Sequence, residues 1–143
     1  MTIRICVIGA GSWGTALAIS LSKKGHIVNM WMRNENQYSH MLTDRENIKY
    51  LPGVILPENI ILYNNIYEAV KDAKIILLTI SSQSIRAVIQ NIKTIINKDQ
   101  IIVNASKGLE NSTLLRISQV IEGEVPENAY VDRKSTRLNS SHG

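Results

Sequence analysis

Apolar and polar positions along the chain follow two alternating periods. Short runs dense in Ile, Val and Leu stand at 4–9 (RICVIG), 27–32 (IVNMWM), 60–63 (IILY), 74–80 (KIILLTI) and 100–105 (QIIVNA). Each is too short for a helix and rich in β-branched residues, which predicts strands. Between them lie helical patterns at 14–24, 35–44, 66–73, 82–96 and 112–123. In the fourth of these, Ile85, Val88, Ile89, Ile92 and Ile96 fall on one face, with Ser82 as a natural cap. Gly25 ends the first helix, while Ser112 and Gly123 read as start and stop of the last. The stretch 51–60 (LPGVILPENI) carries Pro52, Gly53 and Pro57, so it is expected as loop leading into the strand at 60–63. AYV at 129–131 begins a sixth strand. Strands apolar on both faces and alternating with helices predict an α/β domain, a parallel sheet covered on both sides.

The first strand runs into GAGSWG, with glycines at Gly9, Gly11 and Gly14 and helix formers from Thr15 onward. In this setting each glycine has a separate task. Gly9 allows the tight turn out of the strand, Gly11 leaves bare backbone for a pyrophosphate, and Gly14 lets the helix pack closely on the sheet. Position after a first strand and before a helix, inside a βαβ unit, makes this a dinucleotide fingerprint rather than a chance set of glycines. The fold class is therefore a Rossmann-type, doubly wound parallel sheet with its last strand truncated. Ser12 is placed to donate to a phosphate oxygen. Trp13 either lies over the cofactor or packs.

An NAD site usually carries Asp or Glu at the end of the second strand, on the ribose 2′-hydroxyl. Here that strand ends WMRNEN, with Arg33 and Asn34 at the place and Glu35 already entering the next helix. A guanidinium there attracts a 2′-phosphate. NADP(H) is the expected preference, with NAD(H) also admitted.

The pI of about 9.3 raises nucleic acid as a partner. Charge placement excludes it, because Lys and Arg are interleaved with acids and form no stripe. Half of the net +4 sits in the last twelve residues, DRKSTRLNSSHG, which lack Ile and are dense in Ser and Arg. That tail resembles translated sequencing-adapter sequence, so 132–143 is set apart as non-native and the domain is read as 1–131. No apolar run reaches the ~20 residues of a membrane span. With no secretory signal and a lone Cys6 inside the first apolar run, the expected setting is a reducing cytoplasm. No membrane insertion is expected.

The fifth strand delivers NASKGLE at 104–110. Ligands in open parallel sheets lie at the carboxyl ends of strands. Lys107 is thus placed to hold an anionic or carbonyl-bearing substrate, with Gly108 allowing close backbone approach. His26 reads as exposed turn and His40 as the outer face of a polar helix. Ser81, Ser82 and Ser84 follow the fourth strand. No residue set has metal-ligand spacing.

GAGSWGTALA, YLPGV, SSQSIRAVI and ASKGLE with LLRISQV together resemble the bacterial NAD(P)-dependent glycerol-3-phosphate dehydrogenases, from residue 3 to about 131. The resemblance implies reversible hydride transfer between sn-glycerol 3-phosphate and dihydroxyacetone phosphate, a small phosphorylated substrate, in phospholipid synthesis. It implies that Ser12, Trp13, Arg33, Asn34 and Tyr50 touch the cofactor and that Lys107 contacts both cofactor and substrate. It leaves a homodimer of the full-length enzyme open. The chain departs from the family in carrying Ile80-Ser81-Ser82 where a proline is usual, which implies a looser backbone there. The family's Ser-Gly-Pro turn, helical domain and proton-accepting lysine are not found before the tail. No catalytic residue is therefore expected in this chain, and the fragment is expected not to turn over. Two alternatives stand beside this reading. One is another two-domain dehydrogenase of ketopantoate or hydroxyacid reductase type, against which SKGLE discriminates. The other is a non-catalytic NADP(H)-binding module.

Overall fold

The computed structural model describes residues 1–106, 116–128, 130–132 and 138–139. Its strands are β1 (Arg4–Ile8), β2 (Ile27–Trp31), β3 (Glu46–Asn47), β4 (Leu51–Ile55), β5 (Ile60–Tyr63), β6 (Ile75–Leu78), β7 (Ile101–Asn104), β8 (Tyr130–Asp132) and β9 (Leu138–Asn139). Its helices are α1 (Ser12–Lys23), α2 (Glu35–Asp44), α3 (Ile66–Val70), α4 (Ser82–Ile92) and α5 (Ile117–Glu124).

The main sheet has the order β5-β2-β1-β6-β7-β8-β9. All pairs are parallel except β8 with β9, so Leu138–Asn139, in the stretch set apart by composition, lies antiparallel on the sheet edge. From β1 the chain winds outward through β2 to β5, then returns to β6 on the other side and winds out to β8. The gap between the carboxyl ends of β1 and β6 is thus the point where winding direction reverses, the place where such sheets take ligands.

Side chains of β1 alternate between two cores. Cys6 and Ile8 join α3, α4 and α5 on one face, whereas Ile5 and Val7 join α1 and α2 on the other. Ile85, Val88, Ile89 and Ile92 of α4 are fully buried, each stabilising the fold by about 2 kcal/mol. Glu124 ties α5 to α4. Burial pushes its carboxyl up, but hydrogen bonds from Arg86, Gln90 and Lys93 outweigh that and hold it below its ordinary value. No helix among the described residues is long and apolar enough to cross a membrane.

Three local expectations are corrected. The stretch 51–60 is not all loop, because Leu51–Ile55 forms β4 and pairs antiparallel with β3 across a bulge. Gly53 sits in β4 with φ +85°, a conformation open to glycine, so the strand tolerates what reads as a breaker. Ser82 does not precede α4; Ser81 is its N-cap and makes no side-chain capping bond. Helix α5 runs one residue past Gly123 to Glu124, where Val125 ends it. The expected cap Ser112 lies outside the described residues.

Candidate functional site

The glycine turn divides the work among its three glycines as their spacing implies. Gly9 has φ +118°, which disfavours any side chain, and its N–H donates to the Trp31 carbonyl at 2.9 Å. A Cβ on Gly9 would stand 2.6 Å from Thr79 Oγ1, and one on Gly14 2.5 Å from the same atom and 2.7 Å from the Gly9 carbonyl oxygen. Helix α1 therefore sits against the turn with no room for a methyl group. A Cβ on Gly11 would meet nothing within 4 Å. Gly9 and Gly14 face protein, and Gly11 faces open space.

Thr79, just past β6, is the residue that sequence reading missed. Its hydroxyl donates to the Ile8 carbonyl at 2.9 Å and fills the space that Gly9 and Gly14 leave. The parallel register that sets Ile8 beside Leu78 places it there.

Helix α1 starts at Gly11 with no side-chain cap and no acidic residue in its first turn. The N–H of Gly11 has no acceptor among the described residues. Free N–H groups at the positive end of a helix dipole form an anion site. Ser12 and Trp13 are exposed on this first turn, Trp13 at 50%.

Arg33, between β2 and α2, is exposed and engages no partner among the described residues. Glu35, two residues on, accepts from Asn64 Nδ2 at 3.1 and 3.2 Å. Asn34 caps α2, its Oδ1 accepting from the Gln37 N–H at 2.9 Å. Only its Nδ2 is left to donate outward. Tyr50 is partly exposed, with the Lys49 ammonium 5.1 Å from its ring centroid. Asn34 and Tyr50, distant in sequence, line one cavity of about 570 Å³ between α2 and the β3–β4 hairpin, together with Gln37, His40 and Asn47. Arg33 and the glycines do not line it.

At the end of β6, Ser81 has φ −63°. That is the angle a proline ring would fix. Ser81 Oγ lies 3.1 Å from Ser84 Oγ. Beyond β7, Ser106 is buried, its N–H donating to Asn104 Oδ1 at 2.8 Å and its hydroxyl donating to the Ile80 carbonyl. Lys107 and Gly108 lie outside the described residues. His26 is not a free turn residue, because its Nδ1 accepts from the Ile3 N–H at 3.2 Å. His40 is exposed. Cys6 is fully buried, and burial pushes its thiol far up, which leaves it inert.

Residues 4–132 match the model of a family described as NAD-dependent glycerol-3-phosphate dehydrogenase N-terminus. The chain is 43% identical over 129 residues to an NAD(P)+ glycerol-3-phosphate dehydrogenase of Bacillus cereus, covering 90% of this chain and 38% of that protein. It thus spans well under half the length of the curated relatives it matches. Among solved structures, a glycerol-3-phosphate dehydrogenase from Coxiella burnetii superposes with a TM-score of 0.86 at 29% identity, over 92% of this chain and 40% of that one. The enzyme from Saccharomyces cerevisiae gives 0.78 at 26%, over 92% and 41%.

Proposed function

The chain belongs to the family of NAD-dependent glycerol-3-phosphate dehydrogenase N-termini, and from that premise we propose that it is the cofactor-binding part of such an enzyme. The reaction is hydride transfer between a nicotinamide cofactor and the pair dihydroxyacetone phosphate and sn-glycerol 3-phosphate. The observation that carries this reading is the start of α1: uncapped, free of acids, and open at Gly11 where a pyrophosphate would lie. The cofactor supplies or accepts the hydride. The chain's own residues bind and orient it, with the Gly11 and first-turn N–H groups on the pyrophosphate and Ser12 and Trp13 beside it. Asn34 Nδ2 and Tyr50 are contacts further out. Lys107, which follows β7 in sequence, is the residue proposed to hold substrate. The binding domain is 1–131, and the full-length enzyme works in the cytoplasm, with a homodimer as its assembly.

Arg33 gives NADP(H) the advantage over NAD(H), because an exposed guanidinium pairs with a 2′-phosphate. Arg33→Ala removes a hydrogen bond to a charged group, worth about 1.5–3 kcal/mol. Calorimetric titration of the chain should show NADPH weakened about tenfold or more and NADH little changed. Equal losses for the two cofactors would contradict the 2′-phosphate role, and no binding of either would contradict the function.

A further inference from the structure

The peptide between Ala10 and Gly11 is held from behind by two side-chain amides. Asn47 Nδ2 donates to the Ala10 carbonyl at 2.9 Å and to Thr15 Oγ1 at 2.8 Å, and Gln37 Nε2 donates to the same carbonyl at 2.8 Å. Asn47 is 1% exposed, so its amide has no water to fall back on. It lies on β3, whose pairing with β4 is the only regular structure of the hairpin among the described residues.

A trans peptide carries its C=O and the following N–H in opposite directions. No cis peptide is present among the described residues. Fixing the Ala10 carbonyl toward Asn47 and Gln37 therefore aims the Gly11 N–H away from them, toward the side where a Gly11 Cβ would meet nothing. Without the two donors the carbonyl would be left buried and unpaired, and the peptide would gain from rotating. Rotation would present a carbonyl oxygen, not an N–H, to an incoming anion. We propose that Asn47, supported by Gln37, is a positioning residue that sets the Gly11 amide for the cofactor pyrophosphate. This rests on the cofactor site described above, and deepens it. Asn47 also stands three residues before Tyr50, so the hairpin that carries one cofactor contact is tied to the turn that carries the other.

The test uses the full chain and the variants Asn47→Asp, Asn47→Leu and Gln37→Met. Aspartate keeps the size of asparagine but has a donor only when protonated, and its burial raises its pKa. Asn47→Asp should bind NADPH about tenfold or more weakly at pH 8 and recover as pH is lowered toward 5, relative to the parent titrated in parallel. Glu46, beside it on β3, and His40, Asp44 and Lys49 around the cavity are present in parent and variant alike. Gln37→Met, which leaves Asn47 in place, should lose less. If Asn47→Leu does not fold, the aspartate series carries the test alone. The orientation of the Gly11 N–H, read from residual dipolar couplings without cofactor, should change in Asn47→Asp at pH 8 and return at pH 5. An unchanged orientation overturns the proposal whatever the cofactor does. A changed orientation with unchanged NADPH affinity overturns it as well, and points to failure of the cofactor site itself.

Discussion

Helices α1 and α2 both begin at the carboxyl end of a strand in the same sheet, yet their first turns are finished differently. In α2 the side chain of Asn34 accepts from the Gln37 N–H, and Glu35 stands at the positive end of the dipole. Helix α3 repeats the device, with Asn65 accepting from the N–H groups of Tyr67 and Glu68. In α1 the N-cap is Gly11, with no side chain to accept and no acid nearby. Asparagine caps better than glycine by roughly a few tenths of a kcal/mol, so the sequence forgoes a small stabilisation at α1 that it takes at α2 and α3. The difference teaches where a ligand belongs. Openness alone does not mark an anion site, since Ser81 at the start of α4 makes no side-chain capping bond either; at α1 it coincides with bare backbone at Gly11, and that combination supports the phosphate reading.

The largest expected effect separates the glycines within the turn. Gly14→Val would drive branched carbons into Thr79 Oγ1 and the Gly9 carbonyl, one of them backbone that cannot swing aside. A loss of about 3 kcal/mol is expected, read as a lower midpoint in urea. A folded variant of parental stability would break the account of close packing between α1 and β1.

Asn34→Ala should cost about 1 kcal/mol by removing the α2 cap, whereas Asn34→Gly should cost only a few tenths. Thermal melts compare the two. Neither variant keeps the cap bond, so an alanine variant as stable as the parent would mean that the bond contributes nothing, and the contrast between α1 and α2 would lose its basis.

The smallest effect lies away from both helix starts and serves as their control. Glu124 has its carboxyl pKa depressed in the fold, so its stabilisation is present above the unfolded carboxylate value and is lost as pH falls through the folded one. Glu124→Gln should therefore flatten the acid limb of stability against pH while leaving NADPH affinity at neutral pH unchanged. A shift in affinity would show that the α4–α5 side is coupled to the turn.

Much of this was legible in local pattern. Gly9, Gly11 and Gly14 follow from spacing alone, because a turn and a close approach are properties of the backbone at that place. The buried face of α4 follows from the helical period of Ile85, Val88, Ile89 and Ile92. Thr79 and Asn47 were not legible, since each acts across a long stretch of chain. Thr79 reaches the turn only through the register of β6 beside β1. Asn47 lies in β3, whose partner β4 contains Pro52 and Gly53, two residues that signal a loop locally and are accommodated by an antiparallel pair with a bulge. The identity of α2's cap was missed for a related reason. Asn34 was read for its place at the end of β2, and the bond to Gln37 shows one of its polar atoms already engaged.

The most direct test of the open start of α1 is a single substitution measured two ways. Gly11 has φ −78° and ψ −169°, an extended backbone that aspartate adopts readily at an N-cap. Gly11→Asp would cap α1 and place a negative charge at its positive end, while putting a carboxylate where the pyrophosphate must lie. The melting temperature and the NADPH affinity of this variant should move in opposite directions, stability rising by roughly a few tenths of a kcal/mol from the cap and about 0.3–1 kcal/mol from the charge at the dipole end, and binding falling below detection. Binding retained at parental strength, or stability falling together with binding, would contradict the claim that this helix is left uncapped for the cofactor's phosphates.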